Sequence, residues 1–545
     1  MINGNIFEIN MSAKHLPADL DQAIANRMNI SESGQLSYTI LRRSIDARRK
    51  NNIVINYAVR IGKAQTLLGL SSLLAGNTQR LKTYNSADIR QKELRPVVIG
   101  FGPAGMFAAL YLALSGAEPI VIERGNAVEQ RQKDVELFWQ TGILNEESNV
   151  QFGEGGAGTF SDGKLTTRIK DERCRAILEE LVISGAPDEI LYNAKPHIGT
   201  DILKNVVRDI RRRIIELGGE IRFATRVKDI VTRSGKLQGI IVSDNSSSEA
   251  KSEELIQTDR VILAPGHSAR DTFEMLQKRG ATLEAKPFAM GMRIEHPQAM
   301  IDRAQFGAMA GQPALGPADY KLAIKLPSGR AVYSFCMCPG GEVILASSEA
   351  GGVVTNGMSF HSRDQINANS ALLVNVNTDD FPSKDPLAGI ELQRQIERKA
   401  WELAGGKYAG ISQRLRDLLP ANKLTEKNSI GAEWLAQFDV GATRPSCRPA
   451  VSEIHPSKLL PDFIWQSIAE AIPQFDRRLM GFAWGEAILT GPETRSSSPV
   501  RILRGTDCQS SISGLIPCGE GAGYAGGIVS AAVDGIRCAQ ALTML

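Results

Sequence analysis

The spacing of hydrophobic residues changes along this chain, and each change marks a different kind of structure. In residues 94–285, short continuous apolar runs alternate with amphipathic runs of helical period. Such apolar runs indicate strands buried on both faces, and their alternation with helices is typical of a doubly wound parallel sheet. The pattern predicts an α/β domain, with the longest helix at residues 202–217 and a hairpin formed by residues 237–242 and 255–257.

A glycine turn joins the first strand of this region to its first helix with the spacing GxGxxG. Gly100 allows the sharp turn, Gly102 lets the backbone approach phosphate groups, and Gly105 lets the helix pack closely against the strand. The N-terminus of the helix offers unpaired N–H groups to an anion. The next strand ends at Glu123, an acid at the distance where ribose hydroxyls are bound. Together these features predict that a dinucleotide binds at this turn.

Strands and helices stop alternating after this region. The pattern instead indicates antiparallel strands and two helices, at residues 320–324, 331–338, 342–347, 389–403 and 462–472. We therefore expect a mixed α+β substrate domain to be inserted at residues 286–500.

The residues before the dinucleotide region have a pattern of their own. A short strand at residues 5–10, a helix and an alternating strand at residues 52–61 predict a small α+β domain, followed by a polar linker at residues 76–92. The basic run at residues 42–50 is compatible with binding to RNA or phosphate. A solvated helix face is the simpler interpretation of this run.

The C-terminal segment returns to the glycine-rich pattern of the first turn. A loop at residues 514–527 precedes a helix at residues 528–542, and part of the loop repeats the GxGxxG spacing. One helix after the loop is too little for a second βαβ unit of about 30 residues. We therefore expect the loop to complete the first site by bringing a second helix N-terminus to the same cofactor.

The composition of the 545-residue chain sets limits on its class. Its length predicts two or three domains, and 43% hydrophobic with 23% charged residues is ordinary for a soluble globular protein. A net charge of +3 gives no general reason to expect nucleic acid or a membrane as partner. Without a leader pattern or an apolar run of about 18 residues, we expect a cytoplasmic protein. The seven scattered cysteines contain no CxxC pair, so they support neither a zinc site nor a disulfide framework.

Three segments together carry a family resemblance: the first glycine turn, the strand that ends at Gly266, and the loop that begins at Gly519. In them the sequence resembles the two-dinucleotide-binding-domain flavoproteins of the glutathione-reductase and hydroxybenzoate-hydroxylase type. It is more closely similar to a bacterial group known only as FAD-dependent dehydrogenases or FAD-dependent proteins, through residues 42–50, 153–165, 333–341 and 518–527. The resemblance implies a Rossmann-like FAD-binding fold and a tightly held FAD, with no settled substrate.

The resemblance implies FAD contacts at particular residues. Glu123 would hold the adenosine ribose, and the backbone of Val227 would face the adenine. The other contacts at this end of the cofactor would come from Gly100, Gly102, Pro103, Ala104, Gly105 and Arg124. The pyrophosphate would therefore lie over the first βαβ unit.

The same resemblance places the flavin against the other glycine-rich segments. Its neighbours would be Gly158, Thr159, Ser161 and Lys164, with Gly527 and Ile528 at the start of the facing helix. Ala264, Gly266 and Gly519 would also bind the cofactor. Glu520 stands where this fold usually has an aspartate that contacts the ribityl chain or the phosphate, so its side chain is longer by one methylene. The helix that begins at Ile528 would direct its positive end at the flavin, which favours negative charge on the reduced flavin and eases hydride acceptance.

Cys336 and Cys338 are candidate catalytic thiols. They are two residues apart on a predicted strand, so their side chains would point to one face and both would reach the flavin or the substrate. Packing of small apolar residues beside a Pro-Gly-Gly turn is the simpler interpretation, and both stay open. The chain has no CxxxxC motif soon after the first glycine turn, which argues against the mechanism of the disulfide reductases.

His267 is the candidate proton donor, because an ordinary histidine pKa near 6.5 suits that role beside the flavin. A hydrogen-bonded loop histidine is equally compatible with the sequence. Arg293 and His296 either clamp an anionic substrate or belong to an ion-paired strand, and Asp162 and Tyr524 are further candidates. Histidines, cysteines and carboxylates show no metal-ligand spacing.

These expectations combine into one hypothesis, with an α+β domain at residues 1–92, an FAD-binding domain at residues 93–285 and 501–545, and the inserted domain between them. The predicted function is an FAD-dependent dehydrogenase that transfers hydride to or from flavin N5, with a small molecule as substrate or electron acceptor. Since the sequence has no second βαβ unit for NAD(P)H, a nicotinamide would bind only transiently. The alternatives are a flavin monooxygenase that uses NAD(P)H and oxygen, and an FAD-loaded RNA-binding or RNA-modifying protein.

Overall fold

Alternate buried side chains organise the N-terminal region around a three-stranded antiparallel sheet. The computed structural model describes residues 6–30, 37–62, 65–75, 94–245, 253–425 and 443–544, so the predicted linker at 76–92 lies outside the described residues. The N-terminal elements are β1 (Ile6–Ser12), α1 (Pro17–Met28), β2 (Tyr38–Asp46), β3 (Val54–Ile61) and α2 (Ser71–Ala75). The sheet has the order β1-β3-β2, and every second residue near the start of β3 is buried.

The basic run does not form the helix face that we predicted. Most of it lies on β2, where the backbone of Arg43 exchanges hydrogen bonds with Tyr192 and Ala194 of the next region. Its side chains have specific partners: Arg42 pairs with Glu8, and Lys50 donates to a backbone carbonyl of α8, residues 298–306. Because these partners are distant in sequence, the run of charges alone could not distinguish a strand with specific contacts from a solvated helix face.

A five-stranded parallel sheet forms the centre of the second region. In chain order this region contains β4 (Val97–Ile99), α3 (Pro103–Leu114), β5 (Ile120–Ile122), α4 (Val128–Thr141), α5 (Arg173–Ile183), α6 (Thr200–Glu216), β6 (Glu220–Arg222), β7 (Thr225–Arg233), β8 (Lys236–Asp244), β9 (Glu253–Gln257), β10 (Val261–Leu263) and α7 (Arg270–Lys278). The strands β7, β8 and β9 form a separate antiparallel sheet, which includes the predicted hairpin.

The third region is built on a seven-stranded sheet. Its elements are β11 (Leu283–Ala285), β12 (Phe288–Pro297), α8 (Gln298–Phe306), β13 (Ala323–Lys325), β14 (Ala331–Cys338), β15 (Gly341–Leu345), β16 (Thr355–Ser359), β17 (Asn367–Val376), α9 (Ala388–Leu403), β18 (Gly410–Arg414), β19 (Val451–Glu453), α10 (Asp462–Asp476), β20 (Ile488–Glu493) and β21 (Val500–Ile502). The sheet has the order β13-β14-β17-β12-β20-β18-β19 and is antiparallel except for the β18–β19 pair. One continuous hydrophobic core joins this sheet to the N-terminal sheet.

The chain then returns to the parallel sheet with β22 (Leu515–Pro517) and α11 (Ile528–Leu542). The parallel sheet has the order β22-β10-β4-β5-β6, so strands from two distant segments of the chain form one sheet. Helices α3 and α11 pack closely, because a Cβ at Gly535 would lie 2.1 Å from the Ala104 carbonyl oxygen. Within the described residues no helix is long and apolar enough to cross a membrane.

Candidate functional site

A cavity of about 380 Å³ opens at the carboxyl end of the parallel sheet. Its walls include the turns that follow β4, β5, β10 and β22 and the first residues of α3 and α11. In an open parallel sheet, ligands bind in the crevice where successive connections leave on opposite faces, which here lies between β4 and β10. The topology therefore places the cavity at the expected ligand site of this fold.

The glycines of the first turn have two different functions in the structure. A Cβ at Gly100 would lie 2.2 Å from the Ala264 carbonyl oxygen, and one at Gly105 would lie 1.9 Å from the Gly100 carbonyl oxygen. These two glycines allow strand, turn and helix to pack in contact. A Cβ at Gly102 would instead meet nothing closer than the Gly156 Cα at 3.6 Å, so Gly102 leaves a gap at the cavity wall.

The opposite wall has the same open character. A Cβ at Gly266, Gly526 or Gly527 would have no heavy atom within 4 Å, and all three glycines border the cavity. The residue before each helix is a glycine, Gly102 for α3 and Gly527 for α11, and neither end has a side-chain cap. Two helix N-termini therefore direct unpaired N–H groups and positive dipole ends toward one cavity, which suits an anionic ligand such as a dinucleotide.

Glu123 is more fully hydrogen-bonded than the sequence could indicate. Its carboxylate accepts the backbone N–H groups of Phe101 at 2.8 Å, Gly125 at 2.9 Å and Gly153 at 3.0 Å. It thereby ties the first glycine turn to the second glycine-rich segment while still lining the cavity. A carboxylate has about four acceptor positions, so one remains for a ribose hydroxyl.

Arg124 belongs to an ion-pair network at this end of the cavity that sequence spacing did not reveal. It pairs with Glu147 at 2.8 Å and Asp271 at 3.0 Å, and its guanidinium lies 4.1 Å from the centre of the Phe152 ring. Asp271 also pairs with Arg226 at 2.6 Å. No local motif joins these charges, since they come from four separate segments of the chain.

Most of the predicted flavin neighbours line the cavity. They are Gly158, Ser161, Lys164, Ala264, Gly266, Gly519, Glu520, Gly527 and Ile528, and at the other end Pro103, Ala104 and Val227 also line it. Thr159 does not: it is fully buried and its hydroxyl donates to the Glu154 carbonyl oxygen at 3.2 Å. Gly105 is likewise behind the wall, where it serves the packing of α3 against the turn.

His267 lines the cavity but is not suited to the proton-donor role we predicted. Burial, together with the nearby Arg495 and Arg270 cations, lowers the pKa of His267 to about 4. The imidazole is therefore neutral near pH 7 and carries no acidic proton of an imidazolium. The sequence could not show this, because Arg495 is distant from His267 along the chain and the burial of the ring depends on the fold.

Cys336 and Cys338 do not share the cavity face, because the strand is irregular between them. Cys336 has a left-handed backbone, with φ of 42°, and the register of β14 against β17 shifts between Phe335 and Cys338. Cys336 lines the cavity, whereas Cys338 is fully buried behind it. The simple alternation of a strand therefore gave the wrong orientation for one of the two thiols.

The other candidates are structural rather than ligand-facing. Arg293 is fully buried and pairs with Glu493 at 2.6 Å, and His296 Nε2 donates to the Phe482 carbonyl oxygen at 2.9 Å. This agrees with the ion-paired strand and not with an anion clamp. Asp162 is also fully buried; although burial raises its pKa, Lys164 and Arg363 hold that pKa well below its usual range.

Tyr524 lies behind the C-terminal loop rather than in the cavity wall. Its hydroxyl accepts the backbone N–H of Arg504 at 3.2 Å, and the Arg504 guanidinium lies 3.8 Å from its ring centre. These contacts anchor the loop that precedes α11.

Apart from Cys336, sequence reasoning missed the residues that the third region contributes to the cavity. Phe335, Asn356, Glu493, Arg495 and Ser496 all line it. Arg495 is almost fully buried and pairs at 2.8 Å with the equally buried Glu397 of α9. Residues 333–341, which contain Phe335, carried the family resemblance, but the charged segment at the end of β20 gave no indication of a cavity.

Fold and cavity together define a Rossmann-like, FAD-binding protein. Comparison with known proteins agrees: the family described as "FAD-dependent protein, C-terminal domain-like" matches residues 287–496, and a domain of unknown function matches residues 1–62. An uncharacterized protein of Clostridium beijerinckii is 44% identical over 541 residues, which cover 98% of this chain and 97% of that protein. The chain belongs to this family of FAD-dependent proteins, as the resemblance in its sequence predicted.

More distant matches include a second protein and a solved structure. The protein FixC of Salmonella typhimurium is 28% identical over 229 residues, covering 40% of this chain and 47% of FixC. A solved structure of a geranylgeranyl bacteriochlorophyll reductase-like protein from Thermoplasma acidophilum is 12% identical with a TM-score of 0.34, covering 83% of this chain and 78% of that chain.

Proposed function

We propose that this protein is an FAD-dependent oxidoreductase that transfers hydride between FAD in the cavity and a small-molecule substrate. The observation that carries the proposal is that the cavity has two kinds of wall. One wall consists of glycine turns and helix N-termini, which suit a dinucleotide. The other consists of side chains of the inserted region, among them Cys336, Asn356, Glu493 and Arg495. A cofactor held by the first wall would present its reactive part to the second.

The residues of the first wall fit FAD in an ordered way. Gly102 and the start of α3 would hold the pyrophosphate, and Glu123 with Val227 would hold the adenosine. The start of α11 would lie beside the flavin, where its positive end favours negative charge. FAD, when bound, supplies the two-electron chemistry, so the protein needs no nucleophile of its own for hydride transfer.

One titratable group in the cavity suits proton transfer near neutral pH. Burial raises the pKa of Glu520 to about 7, although Lys286 acts in the opposite direction. This carboxyl can therefore hold or release a proton close to physiological pH, the range in which general acid–base catalysis is most effective. Neutral His267 would serve as a hydrogen-bond partner.

Arg495 would give the substrate side of the cavity a rigidly held guanidinium group. Its pairing with Glu397 is anchored from behind by Arg270, which pairs with the same carboxylate at 2.8 Å. The three side chains are almost completely buried, so the guanidinium is held in one position. An anionic or carbonyl-bearing substrate is the kind that such a group would orient.

An anaerobic absorbance titration tests the proposal directly. The purified protein should be yellow, and its flavin band should bleach with the physiological reductant; NADH and NADPH are tried first, with dithionite as the positive control and free FAD as the negative control. The monooxygenase would be favoured if a nicotinamide bleaches the flavin and the reduced protein then consumes stoichiometric oxygen only when an organic substrate is present. A protein that neither contains FAD nor regains it on reconstitution would refute the proposal.

The RNA-binding alternative has less support in the structure. It depended on a free basic run, and in the structure that run supplies β2 and contacts between regions. The same sample tests it, because RNA retention that falls steeply with added salt would restore it.

A further inference from the structure

The strand β14 carries an unusual pair of thiols where it meets the cavity. Cys336 adopts a left-handed backbone, which is unfavourable for a residue with a side chain and persists only where its surroundings enforce it. The distortion turns the Cys336 side chain into the cavity and leaves Cys338 directly behind it. The Cys338 thiol donates to the Cys336 carbonyl oxygen at 3.2 Å, so the second thiol packs against the backbone of the first. One cysteine thus belongs to the cavity wall and the other lies directly beside it.

The charges around this pair favour a thiolate at the exposed position. Lys164 donates to the carbonyl oxygen of Met337, between the two cysteines, and Arg293 donates to the Cys336 carbonyl oxygen at 3.1 Å. Interaction with the neighbouring Cys338 lowers the pKa of Cys336 well below the usual range for a thiol, burial opposes this, and Lys164 and Arg293 add to the lowering. Interaction with Cys336 and burial raise the pKa of Cys338. A low-pKa thiol in front of a high-pKa thiol is the arrangement of an attacking and a resolving cysteine.

We infer that Cys336 and Cys338 form a redox-active pair in the FAD cavity, with Cys336 as the sulfur that reacts with a disulfide substrate. The inference rests on the proposed function and specifies its substrate class. It differs from the CxxxxC arrangement whose absence was noted in the sequence, because this pair belongs to the inserted region. A second thiol behind the reactive one has a use in disulfide exchange, whereas a single nucleophile would need none.

The chemistry balances as two successive exchanges. The Cys336 thiolate attacks one sulfur of the substrate, the substrate S–S bond breaks, and the leaving sulfur takes a proton from solvent. Cys338 then loses its proton and attacks the Cys336 sulfur, so the second substrate sulfur leaves as a thiol and a Cys336–Cys338 disulfide remains. The disulfide returns to the dithiol by taking up two electrons and two protons, the electrons coming from the reduced flavin, which a nicotinamide or another hydride donor reduces.

The test counts thiols and electrons in the FAD-containing protein. After treatment with oxidised glutathione, mass spectrometry of the peptide that contains both cysteines should show the loss of two hydrogens. Anaerobic dithionite titration of that sample should then consume four electrons per FAD instead of two. The variant Cys338→Ser should hold one glutathione on Cys336 and consume two electrons for the flavin and two for that mixed disulfide, with release of glutathione. Cys174→Ser, altered on the distant helix α5, should behave as the wild type.

The outcomes separate this inference from the proposed function. An oxidised wild type that keeps both thiols free and consumes two electrons per FAD would overturn the pair while leaving the FAD function intact. Absence of glutathione from Cys336 in Cys338→Ser would overturn the disulfide substrate class. The wild-type measurements decide the question even if a variant does not fold. A protein without FAD would refute the proposed function. Because the mass measurement does not require FAD, it would still show whether the Cys336–Cys338 disulfide forms in that protein.

Discussion

Replacing Gly102 with alanine tests where the pyrophosphate of FAD is bound. The backbone of Gly102 has φ of −78° and ψ of −176°, which any residue can adopt. The added methyl group would meet only the Gly156 Cα at 3.6 Å, an ordinary van der Waals contact. The substitution therefore fits the folded protein, and its methyl group occupies the gap through which the backbone would approach the phosphates.

The expected magnitudes follow from this geometry. In the protein without FAD, the substitution changes only the residue that caps helix α3. Alanine is a poorer cap than glycine, and this should lower the free energy of unfolding by less than about 1 kcal/mol. For FAD binding, the methyl group would keep the phosphate away from at least one backbone N–H. A hydrogen bond to a charged group contributes roughly 1.5–3 kcal/mol, so the Kd for FAD should rise about 10- to 150-fold.

Fluorescence titration of the apoprotein with FAD measures this Kd, and thermal unfolding of the same apoprotein measures its stability. Gly352→Ala is the matched control, because its methyl group would also meet ordinary contacts, the nearest at 3.4 Å, and it lies away from the cavity. The control should leave both quantities unchanged. A Gly102→Ala protein that is fully folded and binds FAD within twofold of the wild type would show that the pyrophosphate does not lie at this turn.

Three further predictions concern other parts of the site. Gly266 and Gly235 are left-handed glycines, with φ of 74° and 73°, and a Cβ added at either would have no heavy atom within 4 Å. Gly266→Ala and Gly235→Ala should therefore each lower the free energy of unfolding by about 1–2 kcal/mol. Only Gly266→Ala, at the cavity, should also weaken FAD binding in fluorescence titration. Glu397→Gln removes the carboxylate between the buried Arg270 and Arg495, so it should lower the free energy of unfolding in urea by roughly 3–5 kcal/mol. The control Asp379→Asn, at an exposed ion pair, should change this free energy little. Equal effects of the two substitutions would contradict the argument. Burial raises the pKa of the Glu520 carboxyl from its ordinary 4.5 to about 7, so the contribution of its neutral form to stability is fully present below pH 4.5 and is lost as the pH rises through 7. The free energy of unfolding of the Glu520→Gln apoprotein should therefore match that of the wild type near pH 4.5 and exceed it by about 3 kcal/mol well above pH 7. A difference that is independent of pH would refute the shift.

Local chemistry explains which elements could be predicted. The helix predicted at residues 528–542 is found at Ile528–Leu542, and the strand predicted at residues 331–338 is found as β14. In both, the period of apolar residues and the neighbouring glycines are properties of a short segment. The basic run shows the limit of this approach, because its charges are satisfied by partners such as Glu8 that only the sheet brings near.

The sequence by itself determined the glycine turn, the acid that follows it, and the return of the chain to the same site at its C-terminus. Steric demands at a tight turn and at a helix start act within a few residues, so they are visible in spacing alone. Only the tertiary structure decided that Thr159 and Cys338 lie behind the wall, that Arg293 is paired with Glu493, and that His267 is neutral. Exposure, ion pairing and pKa depend on neighbours from distant segments, and a single sequence does not record which segments the fold brings together.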